Sequence, residues 1–202
     1  MDVIDNIYLL ENKKMPWGDW GSILWEGITS RDPVTGAILI ARTGPFSPSL
    51  YMSSNDFVFT SEAKSLYEKS LLSGIEFSHE IAKSKIVRIN WHDWNHKQHI
   101  TNYLDIDGEP EELILNMESD EALMDNMPEY WLADIKANIH LFIDKSLKSN
   151  NPSDYIFIDG ELERSDFFIG VERTGVYITQ NAKDWMDYNF PEHFAYFKIS
   201  RK

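Results

Sequence analysis

The chain has 202 residues and no cysteine, which excludes disulfide bonds, thiol nucleophiles and thiolate metal ligands. It has no apolar run near the roughly 20 residues that a membrane-spanning helix needs. The phosphate-binding patterns G-x-x-x-x-G-K and G-x-G-x-x-G are missing, as are the H-E-x-x-H metalloprotease pattern and the G-x-S-x-G nucleophile turn. We therefore expect a protein that is not an enzyme and that needs no cofactor and no metal.

The N-terminal residues do not predict a secretory leader. The first eleven residues carry three acids and no lysine or arginine, and their apolar stretch is too short for a leader. Seven tryptophans, nine tyrosines and eleven phenylalanines supply ample material for a core. We therefore expect a cytoplasmic globular protein.

Positive charge is missing from one long stretch, residues 98–134, which contains eleven of the 33 acids and neither lysine nor arginine. Such a field repels nucleic acid, whose binding depends on lysine and arginine, and it attracts a basic protein. The alternative is a solvated face that only aids solubility. The carboxylates predicted to form a partner-binding acidic surface are Asp105, Asp107, Glu109, Glu111, Glu112, Glu118, Asp120, Glu121, Asp125 and Glu129.

One short pattern occurs twice. Residues 56–64 read D-F-V-F-T-S-E-A-K, and residues 175–183 read G-V-Y-I-T-Q-N-A-K. Three apolar residues followed by threonine predict a strand and then a helix that begins at a threonine cap. We predict two repeated strand–helix–strand units, at about 55–78 and 174–199.

The remaining patterns predict an α+β fold with mixed sheets of short strands and a few helices. We expect a single domain, which could consist of two packed lobes, about 1–147 and 154–202, joined at 148–153. Short apolar runs predict strands at Ser22–Ile28 and Leu113–Leu115. Asp120 is predicted to cap a short helix that runs to Met127.

Three histidines are close together in the stretch W-H-D-W-N-H-K-Q-H. On a helix, His92, His96 and His99 would share a face and could bind zinc, with Asp93 nearby. This leaves a zinc- or carboxylate-dependent hydrolase as an alternative. The other interpretation is a strand end and turn in which the tryptophans pack and the histidines are solvated.

Two further groups of residues could bind ligands. Trp17, Trp20 and Trp25 could form a stacking platform for a sugar, although such residues are more often core or loop anchors. Arg42 and the turn that follows it, T-G-P, could hold an anion, although a plain structural loop explains them better.

Several of these motifs together resemble a family of immunity proteins from bacterial polymorphic toxin systems, formerly described as a domain of unknown function. The resemblance lies in the D-F-V-F-T-S-E-A-K unit that leads to Gly74–Phe77, in the Val87–Trp94 stretch, and in Asp166–Phe168 followed by the second copy of the repeat. It covers roughly residues 42–199. Membership implies a small cytosolic protein that binds and neutralises a toxin encoded beside it, with no catalytic residues.

The acidic surface fits this implied function because toxins that act on nucleic acid are commonly basic. We expect the acids to stand in for substrate phosphates and a few aromatic side chains to anchor the partner. The candidate anchors are Tyr103, Tyr130 and Trp131, whose alternative role is core packing. A non-enzymatic regulatory or structural partner protein is a further alternative.

Overall fold

The computed structural model describes residues 6–105, 107–143, 154–158 and 164–201. The chain divides into two compact units. Unit 1 contains residues 1–13, 65–77 and 133–202, and unit 2 contains residues 14–64 and 78–132. The units interleave along the chain, whereas the predicted boundary between lobes, residues 148–153, lies outside the described residues.

The architecture is α+β with two mixed sheets, as the sequence predicted. None of the described helices is long and apolar enough to cross a membrane. The strands are β1 (Ile7–Asn12), β2 (Ile28–Arg31), β3 (Ile38–Gly44), β4 (Leu50–Ser53), β5 (Asp56–Thr60), β6 (Ile75–Arg88), β7 (Tyr130–Ile135), β8 (Asn138–Ile139), β9 (Leu141–Ile143), β10 (Tyr155–Phe157), β11 (Phe167–Gly170), β12 (Val176–Thr179) and β13 (Phe194–Arg201). The helices are α1 (Asp19–Glu26), α2 (Ser61–Glu68), α3 (Pro110–Asn116), α4 (Glu121–Met124) and α5 (Gln180–Asn189), with 3₁₀ turns at Trp91–Asp93 and Ile100–Asn102.

A seven-stranded sheet in the order β8-β11-β12-β1-β13-β10-β9 forms unit 1. Its central strand, β1, pairs antiparallel with β12 and with β13, so that Ile7 lies opposite both Thr179 and Ile199. Helix α5 packs on β12 and β1. It buries Ala182 and Met186, which are four residues apart and therefore share one face of the helix.

The second sheet has six strands in the order β2-β3-β6-β7-β5-β4. Strand β3 pairs parallel with β6, and a register shift interrupts the ladder between Ile40 and Ala41. The core of unit 2 joins side chains from these strands with Ile23 and Leu24 of α1, Ile114 of α3 and Leu123 of α4. Burial of these apolar side chains holds the three helices of unit 2 in place.

Both predicted strand–helix–strand stretches contain the predicted elements, β5–α2–β6 and β12–α5–β13. In each, the threonine that ends the first strand accepts a hydrogen bond from an alanine N–H: Ala63 N to Thr60 Oγ1 and Ala182 N to Thr179 Oγ1, both at 3.3 Å. In each sheet a third strand lies between the two, β7 in one and β1 in the other. That the two stretches are copies of one unit stays a prediction.

Two strand predictions were wrong. Most of the stretch Ser22–Ile28 belongs to α1, and Leu113–Leu115 belongs to α3. An apolar run of only three residues does not distinguish a strand from a buried helical turn. The helix signals for α3 were present, since Pro110 opens it and two glutamates occupy its first turn. The predicted cap was correct: Asp120 Oδ1 accepts from Leu123 N at 2.9 Å, but α4 ends at Met124.

Candidate functional site

An open cavity of about 520 Å³ lies in unit 2. Two tryptophans, an isoleucine, a histidine, a threonine and two glycines form its walls. We call it the aromatic cavity; its lining residues are Trp17, Gly18, Trp20, His99, Ile100, Thr101 and Gly108. A concave site with apolar walls and a few polar groups is the usual form of a binding site.

The position of Trp17 is fixed by an unusual backbone and by contacts at the ring edge. Its φ is +71°, and that of Gly18 is +57°. A bulky residue rarely adopts the left-handed region, at a typical cost of about 1–3 kcal/mol. Nε1 of Trp17 donates to the carbonyl oxygen of Gln98 at 2.7 Å. The ring makes T-shaped contacts with Trp94 and His96, with centroid distances of 6.0 and 5.3 Å.

The loop that carries Trp94 is braced by Tyr103, one of the predicted anchors. The two rings stack at a centroid distance of 4.6 Å and an interplanar angle of 2°. The Tyr103 hydroxyl accepts from the backbone N–H of Asn95 at 2.8 Å. Tyr103 therefore supports the loop between the two 3₁₀ turns, and its half-buried ring keeps only part of its surface open to solvent.

The ten predicted carboxylates, called the acidic face from here on, are all in unit 2. Nine of them are exposed, and Asp120 is half-buried. The acidic face meets the aromatic cavity at Gly108. A Cβ atom on this glycine, whose φ is +92°, would lie 2.4 Å from Oε2 of Glu112. The Glu112 carboxylate therefore lies against a residue that lines the cavity.

Three basic side chains of β6 contact the part of the chain that carries the acidic face. Two of them bind backbone carbonyls instead of carboxylates. Nζ of Lys83 donates to the carbonyls of Met124 and Met127 at 2.8 and 3.1 Å. Lys85 donates to the carbonyl of Leu115, in the last turn of α3. The Met124 and Leu115 carbonyls are at helix C-terminal ends, where they have no partner within the helix.

The third base, Arg88, pairs with Asp120, with 2.5 Å between Nε and Oδ2. The hydrogen bond from Arg88, followed by that from the Leu123 N–H, lowers the pKa of Asp120. In the described part of the chain, the other nine carboxylates form no ion pair. The acidic face therefore keeps almost all of its charge uncompensated.

Of the two other predicted anchors, Tyr130 is buried and Trp131 is partly covered, so the role of Trp131 stays a prediction. Tyr130 is 0 % exposed in the core of unit 2, so the prediction that it anchors a partner was wrong. Its place in β7, paired with β5, buries the ring. Trp131 is half-buried, donates to Ser61 Oγ at 3.0 Å, and carries Nζ of Lys64 at 3.9 Å from its ring centroid. One face of Trp131 is thus already occupied by a cation.

The three clustered histidines lie in a turn and make separate contacts. His92 stacks on Phe46 at 4.0 Å, His96 lies beside Trp17, and Nδ1 of His99 is 2.9 Å from the hydroxyl of Thr101. Across the described ranges, no group of three or more histidines and acids is placed to hold a metal ion. The zinc-based alternative therefore finds no ligand set here.

Arg42, a predicted anion ligand, is fully buried instead of facing solvent. Its guanidinium donates to the carbonyls of Thr43 and Trp25 at 3.2 and 3.4 Å. Trp25 is 4 % exposed, so of the three tryptophans considered for a sugar platform only Trp17 and Trp20 line the cavity. Arg42 is a structural residue of the core of unit 2.

Sequence reasoning missed the meeting of two tryptophan loops. Residues 17–20 read W-G-D-W and residues 91–94 read W-H-D-W, and the structure places Trp17 against Trp94. The W-x-D-W pattern that both loops share is the one sequence feature that could have suggested their contact. The pattern could not predict the cavity, because the other lining residues, from His99 to Gly108, do not share it.

The resemblance to immunity proteins depends on motifs made mainly of structural residues, and it stays a prediction. The surfaces of this chain that could bind a ligand or a partner are the aromatic cavity and the acidic face. Comparison of the chain with protein-family models, with curated proteins and with solved structures gave no match.

Proposed function

We propose that this protein binds and neutralises a basic protein toxin without performing catalysis, as the immunity proteins that it resembles do. The observation that carries the proposal is the uncompensated acidic face. Lys83 and Lys85, the bases that could have neutralised it, bind backbone carbonyls. Nucleic acid and membrane surfaces of negative charge are disfavoured as partners by the same field.

The acidic face has the charge that a nucleic-acid-acting toxin binds in its substrate. Such enzymes present lysine and arginine to phosphates, and carboxylates can occupy the same positions. Nine of the ten carboxylates are solvent-exposed and within reach of a partner. Charges of this kind mainly raise the association rate and select among partners.

The aromatic cavity supplies what charge alone does not. Interfaces owe most of their binding energy to a few aromatic or arginine anchors in desolvated pockets. A cavity of about 520 Å³ that adjoins the acidic face is a concave receptor for such an anchor. The combination of charge and cavity favours a binding surface over a face that serves solubility alone.

The first test is co-purification with the product of the gene immediately upstream, combined with rescue of cells that express that product. We expect a stable complex and restored growth. A regulatory protein without a toxin would neither bind this product nor protect the cell, and that result would overturn the proposal.

A charge-reversal pair then tests the surface. Glu111→Lys with Glu121→Lys should slow association at least about tenfold at low salt and flatten its salt dependence. Asp120 is avoided because it caps α4. The matched control is Glu62→Lys with Glu80→Lys, an equal charge change at exposed positions outside the acidic face. Equal association rates for the two double variants would remove the acidic face from the interface.

A further inference from the structure

We propose that the aromatic cavity is a receptor for an arginine side chain, with the guanidinium against the tryptophan rings and its N–H groups donating to Glu112. We assign this arginine to the basic toxin that the protein is proposed to bind, so the source of the arginine rests on the proposed function. Three features carry it: an unpaired carboxylate at the cavity, two aromatic walls, and the absence of a cation among the residues described there.

Glu112 is a carboxylate that the structure places against a residue of the cavity wall, Gly108. Its Oε2 would lie 2.4 Å from a Cβ on Gly108, so only a glycine lets the carboxylate approach the cavity wall so closely. Within the described residues, its side chain has no hydrogen bond or ion pair. Glu111, its exposed neighbour in the first turn of α3, adds to the negative field.

The walls offer rings that attract a cation. Trp17 makes T-shaped contacts with Trp94 and His96 and lines the cavity, and its half-buried indole keeps part of its surface open. Trp20 lines the same cavity and is also half-buried. Tryptophan is the best of the aromatic residues at binding cations through its ring face. The chain makes this contact elsewhere in unit 2, where Lys64 lies over Trp131.

Arginine fits these features better than lysine. The guanidinium is planar, so it stacks on an indole while its edge donates two parallel hydrogen bonds to a carboxylate. An ammonium group is more strongly hydrated and donates from a point, so it loses more on entering a cavity with apolar walls. Aromatic residues and arginine are also the most frequent hot-spot residues at protein interfaces.

A direct test uses the tripeptide acetyl-Gly-Arg-Gly-amide as the probe, with the citrulline and lysine tripeptides for comparison. The seven tryptophans give separate indole N–H signals in a ¹H–¹⁵N spectrum, which report the cavity individually. We expect the arginine peptide to shift the Trp17 and Trp20 signals in a saturable way, the lysine peptide to bind more weakly, and the citrulline peptide to leave them unchanged. Equal shifts with citrulline or lysine would overturn the assignment. Shifts of the same signals by cellotriose but not by the arginine peptide would identify a sugar site instead.

A matched pair of variants separates local recognition from general attraction. Glu112→Gln should weaken arginine-peptide binding about tenfold, because it removes the charged acceptor. Glu118→Gln makes the same charge change at another exposed position of the acidic face and should leave binding nearly unchanged. Neither side chain is buried, so both variants should fold. Equal affinities for the two variants would overturn the role of Glu112.

The Glu112→Gln and Glu118→Gln variants also distinguish a failure of the arginine receptor from a failure of the proposed function. With a captured toxin, Glu112→Gln should speed dissociation while Glu118→Gln does not. If charge reversal slows association but Glu112→Gln changes neither dissociation nor peptide binding, the arginine receptor is wrong and toxin binding stands. If the peptide binds as expected and no toxin is captured, the receptor stands and the toxin function falls.

Discussion

The guanidinium carbon of Arg42 lies 4.9 Å from the centroid of the Tyr51 ring, and both side chains are 0 % exposed. A second ring, that of Tyr130, lies at 5.8 Å. No carboxylate in the described residues pairs with this arginine, although buried charges usually have one. Two carbonyls and two ring faces take its place. Burial raises the pKa of Tyr51, so its hydroxyl stays protonated.

The hydroxyl of Tyr130 is buried without a hydrogen-bond partner. Replacing Tyr130 with phenylalanine should therefore leave the free energy of unfolding unchanged or raise it by up to about 1 kcal/mol, because no hydrogen bond is lost. Urea denaturation measures the change. In the control, Tyr177→Phe, the lost hydroxyl does donate, to the Arg173 carbonyl at 3.3 Å, and stability should fall by about 1 kcal/mol. A loss of that size in Tyr130→Phe would reveal a bound water or ion.

The two threonine caps should contribute unequally. Thr60→Ala should lower the free energy of unfolding by about 1 kcal/mol, the usual value for an N-cap. Thr179→Ala should lower it further, because Thr179 Oγ1 also donates to Asp166 Oδ1 at 2.7 Å. Thr→Ser at each site should retain most of the stability. Equal losses from the two alanine variants in urea denaturation would contradict the additional role of Thr179.

Lys83 should stabilise the turn at the end of α4, although it binds none of the carboxylates of the acidic face. Lys83→Met keeps the aliphatic stem and removes two hydrogen bonds to the Met124 and Met127 carbonyls. We expect the free energy of unfolding to fall by about 1–2 kcal/mol, because hydrogen bonds from charged donors are stronger than neutral ones. Hydrogen exchange should quicken in and after α4 first. Unchanged exchange at Asp125 to Met127 would show that the ammonium does not hold this turn.

The Arg88–Asp120 pair should make stability depend on pH. The lowered pKa of Asp120 means that its contribution is present above the unfolded value, about 3.9, and is lost as the pH falls through the folded value. Asn is an equally good helix cap, so Asp120→Asn removes the charge pair and keeps the cap. The stability difference between wild type and Asp120→Asn should therefore be present at pH 7 and shrink in acid. A difference that is the same at pH 7 and pH 3 would show that the charge pair contributes nothing.

Local signals predicted the parts of the fold that depend on local interactions. The threonines at 60 and 179 were identified as caps because a hydroxyl acceptor three residues before an N–H is a short-range arrangement. The short apolar runs at 22–28 and 113–115 failed, because what decides between strand and helix there is the neighbour against which they pack. For Leu113, that neighbour is the core of unit 2.

For the candidate site, too, the sequence predicted some features and not others. Exposure of the acidic face was predictable because charged side chains remain in water wherever their backbone runs. The roles of Tyr103 and Tyr130 were not: one stacks on Trp94 and the other lies in the core. Nor was the approach of Glu112 to Gly108, which depends on a positive φ at that glycine.

The position of β1 at the centre of its sheet has a consequence for the order of events on the ribosome. Its two neighbours, β12 and β13, come from residues 176–201, so β1 emerges more than 160 residues before the second of them. All residues of unit 2 have been made by Leu132. Unit 2 can therefore form its core during translation, whereas Ile7 to Asn12 stay unpaired until β12 and β13 have been made. That interval is when a chaperone would be most useful to this chain.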